Sequence, residues 1–223
     1  MNPVRRKVVL GAAAAAGYLM LSASAMAKQK KPTSIGADKL DLERFVDDCI
    51  AANAETDAQN AVKEVLARAV STPNAVIAAV GEPDRAGIVP IHRSETLTIF
   101  NARWTPQMNL MPHNHLMWAN IGIYTGREDN IFWRENEGSV EAFGAEALFQ
   151  KDAAALPIDA VHSVTNPLLR FTGGIHIYGG DFFNTTRSQW DPETLQEQPS
   201  DGDVIREMFE RENKRLGLIS SAS

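Results

Sequence analysis

Apolar residues recur at helical spacing from residue 38 to about residue 70. Leu42, Phe45, Val46, Cys49 and Ile50 form one stripe, and after a polar stretch over 53–60 a second follows with Val62, Val65, Leu66 and Ala69. The spacing predicts two amphipathic helices. Cys49 falls on the apolar stripe of the first, which reads as a small core residue rather than a reactive thiol. Beyond Pro73 the texture changes to short apolar or alternating runs divided by Gly, Pro, Asn and Asp. They cover 75–80, 87–92, 96–104, 118–124, 130–134, 139–143, 160–164 and 168–178. Many short strands at this spacing predict a sandwich or barrel. Residues 204–216 return to helical spacing in a charged setting, and Ile205, Met208 and Phe209 would cover the barrel.

The first 27 residues follow another pattern. Arg5, Arg6 and Lys7 precede an apolar run over 8–21, and Ala25-Met26-Ala27 has the small residues of a cleavage site. The run falls short of the ~20 residues needed to span a bilayer, so an export signal removed after Ala27 is expected rather than a permanent anchor. The adjacent arginines followed by Lys-Val-Val-Leu resemble in part a twin-arginine signal, and the general secretory route reads nearly as well. By either route the mature protein would be periplasmic. Residues 28–37 are polar and turn-rich, a flexible lead-in. Residues 38–223 are expected to form a single domain, with a helical segment over 38–72, a β-barrel over 75–190 and a C-terminal helix over 203–217.

Charge and cysteine content narrow the partners. The chain has 22 Lys and Arg against 28 Asp and Glu, a formal charge of −6 that becomes −9 when the three basic residues of the signal leave. With no basic stripe, an electrostatic nucleic-acid partner is excluded. No membrane partner is expected once the signal is gone, and the sequence does not specify an oligomeric state. The single cysteine excludes an intramolecular disulfide and a cysteine metal cluster, so stability must come from packing.

All five histidines lie between residues 92 and 176, inside the predicted β region. Two form Pro112-His113-Asn114-His115. In an extended chain residues i and i+2 point the same way, so both imidazoles can face one metal, although a surface pair in a loop has the same spacing. A strand precedes the pair and 118–124 runs into the turn Thr125-Gly126; His162 then follows 47 residues after His115 in another short strand. Here residues 95–190 resemble the cupin superfamily, whose first motif carries His-x-His before a glycine turn and whose second supplies a further histidine from an opposing strand. The resemblance implies a mainly β, double-stranded β-helix (jelly-roll) barrel, with N-terminal helices and a C-terminal helix added by this chain. It also implies a metal on His113, His115 and His162.

The common cupin pattern places a glutamate a few residues after His-x-His, but Leu116-Met117-Trp118-Ala119-Asn120 contains no acid. In this the chain resembles the thiol dioxygenases, the cysteine and 3-mercaptopropionate dioxygenase group. Asn166, four residues after His162, matches that group, and Gly174-Ile175-His176-Ile177-Tyr178 resembles its Ser-x-His-x-Tyr element with glycine in place of the serine. Arg187, nine residues after Tyr178, lies where the mercaptopropionate-type enzymes carry the arginine associated with the substrate carboxylate. Asn120 stands near the position of the crosslinking cysteine of the animal-type enzymes, so no such crosslink can form.

The resemblance implies a mononuclear Fe(II) centre, with other divalent metals open, that oxidises a small thiol with O2 to a sulfinic acid. Tyr178 held by His176 would hydrogen-bond to the reactants, and Arg187 would clamp a carboxylate. Met111, Trp104 and Trp118 are candidates for an apolar wall. Each residue also has a plainer reading: His176 as a hydrogen-bonded core residue, Tyr178 as an ordinary barrel residue, and Arg187 in a solvated loop, with Arg93 or Arg103 as alternative clamps. Two other functions stay open: another metal-dependent cupin reaction, oxidative cleavage or isomerisation, and a non-catalytic metal- or ligand-binding cupin.

Overall fold

The computed structural model describes residues 39–219. The export signal expected over 1–27 and the lead-in expected over 28–37 lie outside the described residues. Helix α1 (Leu42–Asn53) starts where the Asp41 side chain accepts the Arg44 amide at 3.1 Å, satisfying one of the free N–H groups of a first turn. Helix α2 (Ala58–Val70) follows the polar stretch, as the spacing predicts. The run over 75–80, expected as the first strand, is instead a third helix, α3 (Pro73–Val80). Six apolar residues carry no period that separates a buried strand from a buried helix. Pro73 in the first turn, where its missing N–H costs nothing, and Gly81 at φ +83° beyond the last turn decide the matter.

The strands are β1 (Gly87–Arg93), β2 (Thr98–Trp104), β3 (Asn109–Asn114), β4 (Ala119–Thr125), β5 (Arg127–Asn136) and β6 (Ser139–Phe149). They continue with β7 (Ala153–Leu156), β8 (Val161–Thr165), β9 (Thr172–Tyr178), β10 (Ser188–Trp190) and β11 (Glu197–Pro199). All strand pairs are antiparallel. One sheet has the order β1-β2-β9-β4-β7, the other β11-β10-β3-β8-β5-β6. From β2 to β5, and again from β7 to β10, successive strands alternate between the sheets. That alternation winds the chain into a double-stranded β-helix, the jelly-roll barrel expected. Strand pairing continues past residue 190 into β11.

The two larger apolar cores among the described residues follow from this arrangement. Phe100, Trp104, Leu110, Ile121, Ile123 and Val164 fill the space between the sheets. Helix α4 (Gly202–Arg215), capped by Asp201, closes that side with buried Phe209 and the partly buried Ile205 and Met208, as the sequence pattern predicts. On the opposite face of the five-stranded sheet, Leu97, Ile99, Tyr124, Ile175 and Ile177 pack against Phe45, Cys49, Val62 and Leu66 of the helices. A side chain of the size of Leu66 contributes roughly 1.5–3 kcal/mol when fully buried. Cys49 is a core residue, and burial with Asp48 beside it pushes its thiol up to about 12.

Candidate metal centre

His113 and His115 come from β3 and the turn after it, and His162 from β8. The antiparallel register sets His113 directly opposite His162. All three rings are buried, and each offers a nitrogen within 4.8 Å of the others. His113 Nδ1 lies 3.0 Å from the Met111 carbonyl and His162 Nδ1 lies 2.6 Å from Asn130 Oδ1. Since only an N–H can donate to those oxygens, both rings keep the Nε2 lone pair free to ligate. His162 Nε2 stands 3.3 Å from His115 Nε2. Nitrogens held at ~2.1 Å from one ion are about 3.0 Å apart at a right angle and about 3.4 Å apart at a tetrahedral one, so this spacing fits a shared metal.

Electrostatics agree with the geometry. Burial lowers His113 to about 4 and drives His115 and His162 well below the usual 6.5, with repulsion from neighbouring histidines adding to the effect at each. The rings are therefore neutral near pH 7, the form a metal takes. His115 Nδ1 is buried without a partner. No carboxylate belongs to the cluster among the described residues.

Strand β9 brings the other predicted residues to the same place. It pairs with β2 and β4, setting His176 beside Phe100 and Ile121. Because side chains alternate along a strand, His176 and Tyr178 face the barrel interior while Ile175 and Ile177 face the helices. The Tyr178 ring meets His115 edge-on at 4.9 Å between centroids, and its hydroxyl is 3.3 Å from His176 Nδ1. Burial, with Glu128 adding to it, raises the phenol far above its usual range, so Tyr178 stays protonated. His176 Nε2 lies 3.3 Å from Glu128 Oε2, off the direction of a hydrogen bond. At Gly174 an added Cβ would stand 3.2 Å from that same ring nitrogen.

Arg187 is half-buried rather than solvated. Strand β10 pairs with β3 at Gln189 opposite His113, and the Ser188 amide donates to Asn114 Oδ1 at 2.9 Å, which holds Arg187 over the site. Its guanidinium lies 3.8 Å from the Phe182 ring centroid and donates to the Phe182 carbonyl, while its Nε has no partner. Burial lowers its pKa. His113, His162, His176, Tyr178 and Arg187 line one cavity of about 130 Å³, walled by Phe100, Trp104, Phe182 and Phe183 among others.

Several expected contributors lie elsewhere. Trp118 packs on the helix side, against Gly179, and Met111 is buried in the inter-sheet core without lining the cavity. Neither alternative clamp reaches the cavity. Arg93 binds Asp181 through two contacts of 2.9 and 3.0 Å, which pull that carboxyl below its usual range, and Arg103 is nearest Asp84 at 3.7 Å. Arg93 instead anchors the turn that carries Phe182 and Phe183. Asn166 is a buried tie: its amide donates to the carbonyls of Thr105 and Arg170 and its oxygen accepts from Leu168 N and Thr172 Oγ1.

Asn114, Asn130 and Glu128 are missing from the sequence reading. The available signal is periodic: Glu128 and Asn130 are two apart, just after the Thr125-Gly126 turn, the spacing that exposed the histidine pair. The charged run Arg127-Glu128-Asp129 hides it, because only its middle member turns inward.

No family model and no curated protein matches the chain. Solved structures match in part. An RmlC-like cupin family protein with a double-stranded β-helix fold from Methanocaldococcus jannaschii is 9% identical, with 46% of this chain and 88% of that one covered and a TM-score of 0.38. A protein with a double-stranded β-helix domain from Klebsiella pneumoniae is 11% identical over 53% of this chain and 82% of its own, at a TM-score of 0.35. Oxalate decarboxylase of Bacillus subtilis is 17% identical over 40% of this chain but 22% of that enzyme, at 0.33. The strand order of the molecule itself defines the class: a double-stranded β-helix barrel enclosing a three-histidine cluster able to hold a metal ion. None of these neighbours is described as a thiol dioxygenase, so that finer resemblance rests on the residues alone.

Proposed function

We propose that the protein is an exported, periplasmic, mononuclear non-haem iron dioxygenase that adds both atoms of O2 to the sulfur of a small thiol carboxylic acid, giving a sulfinic acid. The observation that carries this reading is the joint opening of His113 and His162 of the all-histidine cluster, Tyr178 and Arg187, which pairs with no carboxylate among the described residues, into one cavity. Fe(II) bound there would supply the redox chemistry that joins a thiolate and dioxygen. The three neutral imidazoles bring no negative charge, which favours an anionic substrate. Arg187 has an unpartnered Nε with which to grip a carboxylate. Tyr178, protonated and adjacent to His176, offers a hydrogen-bond donor beside His115. Phe100, Trp104, Phe182 and Phe183 limit water. The cavity is below the ~300–1,000 Å³ common for ligand pockets, which restricts the substrate to a few heavy atoms.

The test is oxygen uptake by Fe(II)-loaded protein with cysteine, 3-mercaptopropionate and cysteamine, with the sulfinic acid read by mass spectrometry. A carboxylate-bearing thiol should be consumed and cysteamine spared; uptake no greater than that of His113→Ala would sink the proposal. The address is tested by the mass of protein recovered from the periplasm, expected to match residues 28–223. Glycine at 174 in place of the serine favours one alternative, a metal-dependent cupin reaction on an oxygenated substrate, read as oxygen uptake for oxidative cleavage and as substrate conversion on chromatography for isomerisation.

A further inference from the structure

Glu128 is fully buried. Among the described residues it has no lysine or arginine within ion-pair distance, and His176 Nε2 is its one basic neighbour in that range. An unpaired buried carboxylate costs several kcal/mol even after relaxation, so packing alone gives no reason for one here. Its oxygens are nevertheless individually engaged. Trp104 Nε1–H donates to Oε2 at 2.9 Å, and the Asn130 amide donates to Oε1 at 3.3 Å. Asn130 then accepts the His162 Nδ1–H at 2.6 Å. The carboxylate thus sits at the branch of two arms, one ending on a histidine of the cluster and the other on the His176–Tyr178 pair.

We propose that Glu128 is a positioning residue that acts through Asn130 to hold His162 with its Nε2 toward the metal, and that flanks His176 in place of the side chain absent at Gly174. The His162 arm requires only that the cluster binds a metal; the His176 arm rests on the dioxygenase reading. Along the first arm every group has one consistent role. The carboxylate accepts from the Asn130 NH2, which turns the amide oxygen toward His162, and that oxygen fixes the imidazole tautomer. Three neutral imidazoles leave a divalent ion uncompensated, and Glu128 supplies the negative charge one relay away. On the second arm, an added Cβ at position 174 would stand 3.2 Å from the same His176 nitrogen that Glu128 Oε2 approaches to 3.3 Å, so both positions address one ring atom.

The test uses Co2+ as the metal alone, so it does not depend on finding a substrate. Glu128→Gln keeps the shape but leaves a single acceptor oxygen for Trp104 and Asn130. It should weaken Co2+ binding by about 10–100-fold and shift the visible d–d bands, whereas the same change at the exposed Glu141 of strand β6 should leave affinity within about threefold. Glu128→Gln placed on Asn130→Ala should add little further loss, since both act on His162 through one path. A folded Glu128→Gln protein with wild-type Co2+ affinity and spectrum overturns the proposal, whatever its thermal stability. If the glutamine variant does not fold, Glu128→Asp carries the same expectation and the same overturning result. Wild-type protein that binds Co2+ but, when loaded with Fe(II), oxidises no thiol would end the dioxygenase reading and leave the His162 arm standing.

Discussion

Strand β9 has two faces that do different work. Toward the helices, Ile175 and Ile177 join a mainly apolar core with Phe45, Val62, Leu66 and Tyr124, in which volume and shape dominate. Toward the barrel interior, His176 and Tyr178 share space with three histidines, Glu128, Asn130 and Arg187, where several polar atoms are held by named hydrogen-bond partners and His115 Nδ1 and Arg187 Nε are left without one. Both faces are equally dry, so burial does not distinguish them. The difference lies in how a change is felt: loss of volume costs stability, whereas loss of a lone pair costs binding. The helix side therefore sustains the fold, and the interior side spends part of that stability on buried polar groups.

The largest expected effect tests the separation directly. His162→Ala should lower metal affinity by more than the ~10–100-fold typical of outer-shell changes, abolishing stoichiometric metal on elemental analysis. On the other face, Ile177→Ala should cost about 2–5 kcal/mol in urea denaturation while metal affinity stays unchanged. A large affinity loss in that variant would break the comparison.

Acid should then act through the interior face. His113, His115 and His162 have folded-state pKa values below the unfolded 6.5, so the unfolded chain takes up protons first as pH falls. The metal-free protein should keep its stability above pH 6.5 and lose it progressively towards pH 4. His113→Asn should flatten that slope, as followed by denaturation midpoints across the range. The smallest effect belongs to Cys49: with its thiol pushed up to about 12, it should be inert to a disulfide reagent in the native protein and titrate fully in urea.

The sequence was most informative where side-chain period and chemistry coincide. His113 and His115 at spacing two, with His162 in a second strand, could be read as one cluster because extended chains alternate faces. The helical stripes of α1, α2 and α4 were equally clear. The run over 75–80 was ambiguous because α3 is short and apolar, and periodicity needs at least one polar face to register. The three-residue strands β10 and β11 are too short for any period, which left Arg187 looking solvated until its strand was seen pairing beside His113. Glu128 was obscured for a different reason. Flanked by Arg127 and Asp129, which pair with each other at 2.6 Å, it belongs by composition to a surface run and by register to the interior.

The register that sets His113 against His162 also governs when the site comes into being. Those residues are far apart in the chain, and the tie at Asn166 joins segments separated by 61 positions, so the ligands meet only after long-range strand pairing is complete. An unfolded or half-folded chain has no preformed claim on any ion. Affinity alone would give copper or zinc the advantage over iron. Which metal the cluster would take is therefore open to the ions present where the chain folds, and a change of folding compartment would change the ion on offer to the same sequence.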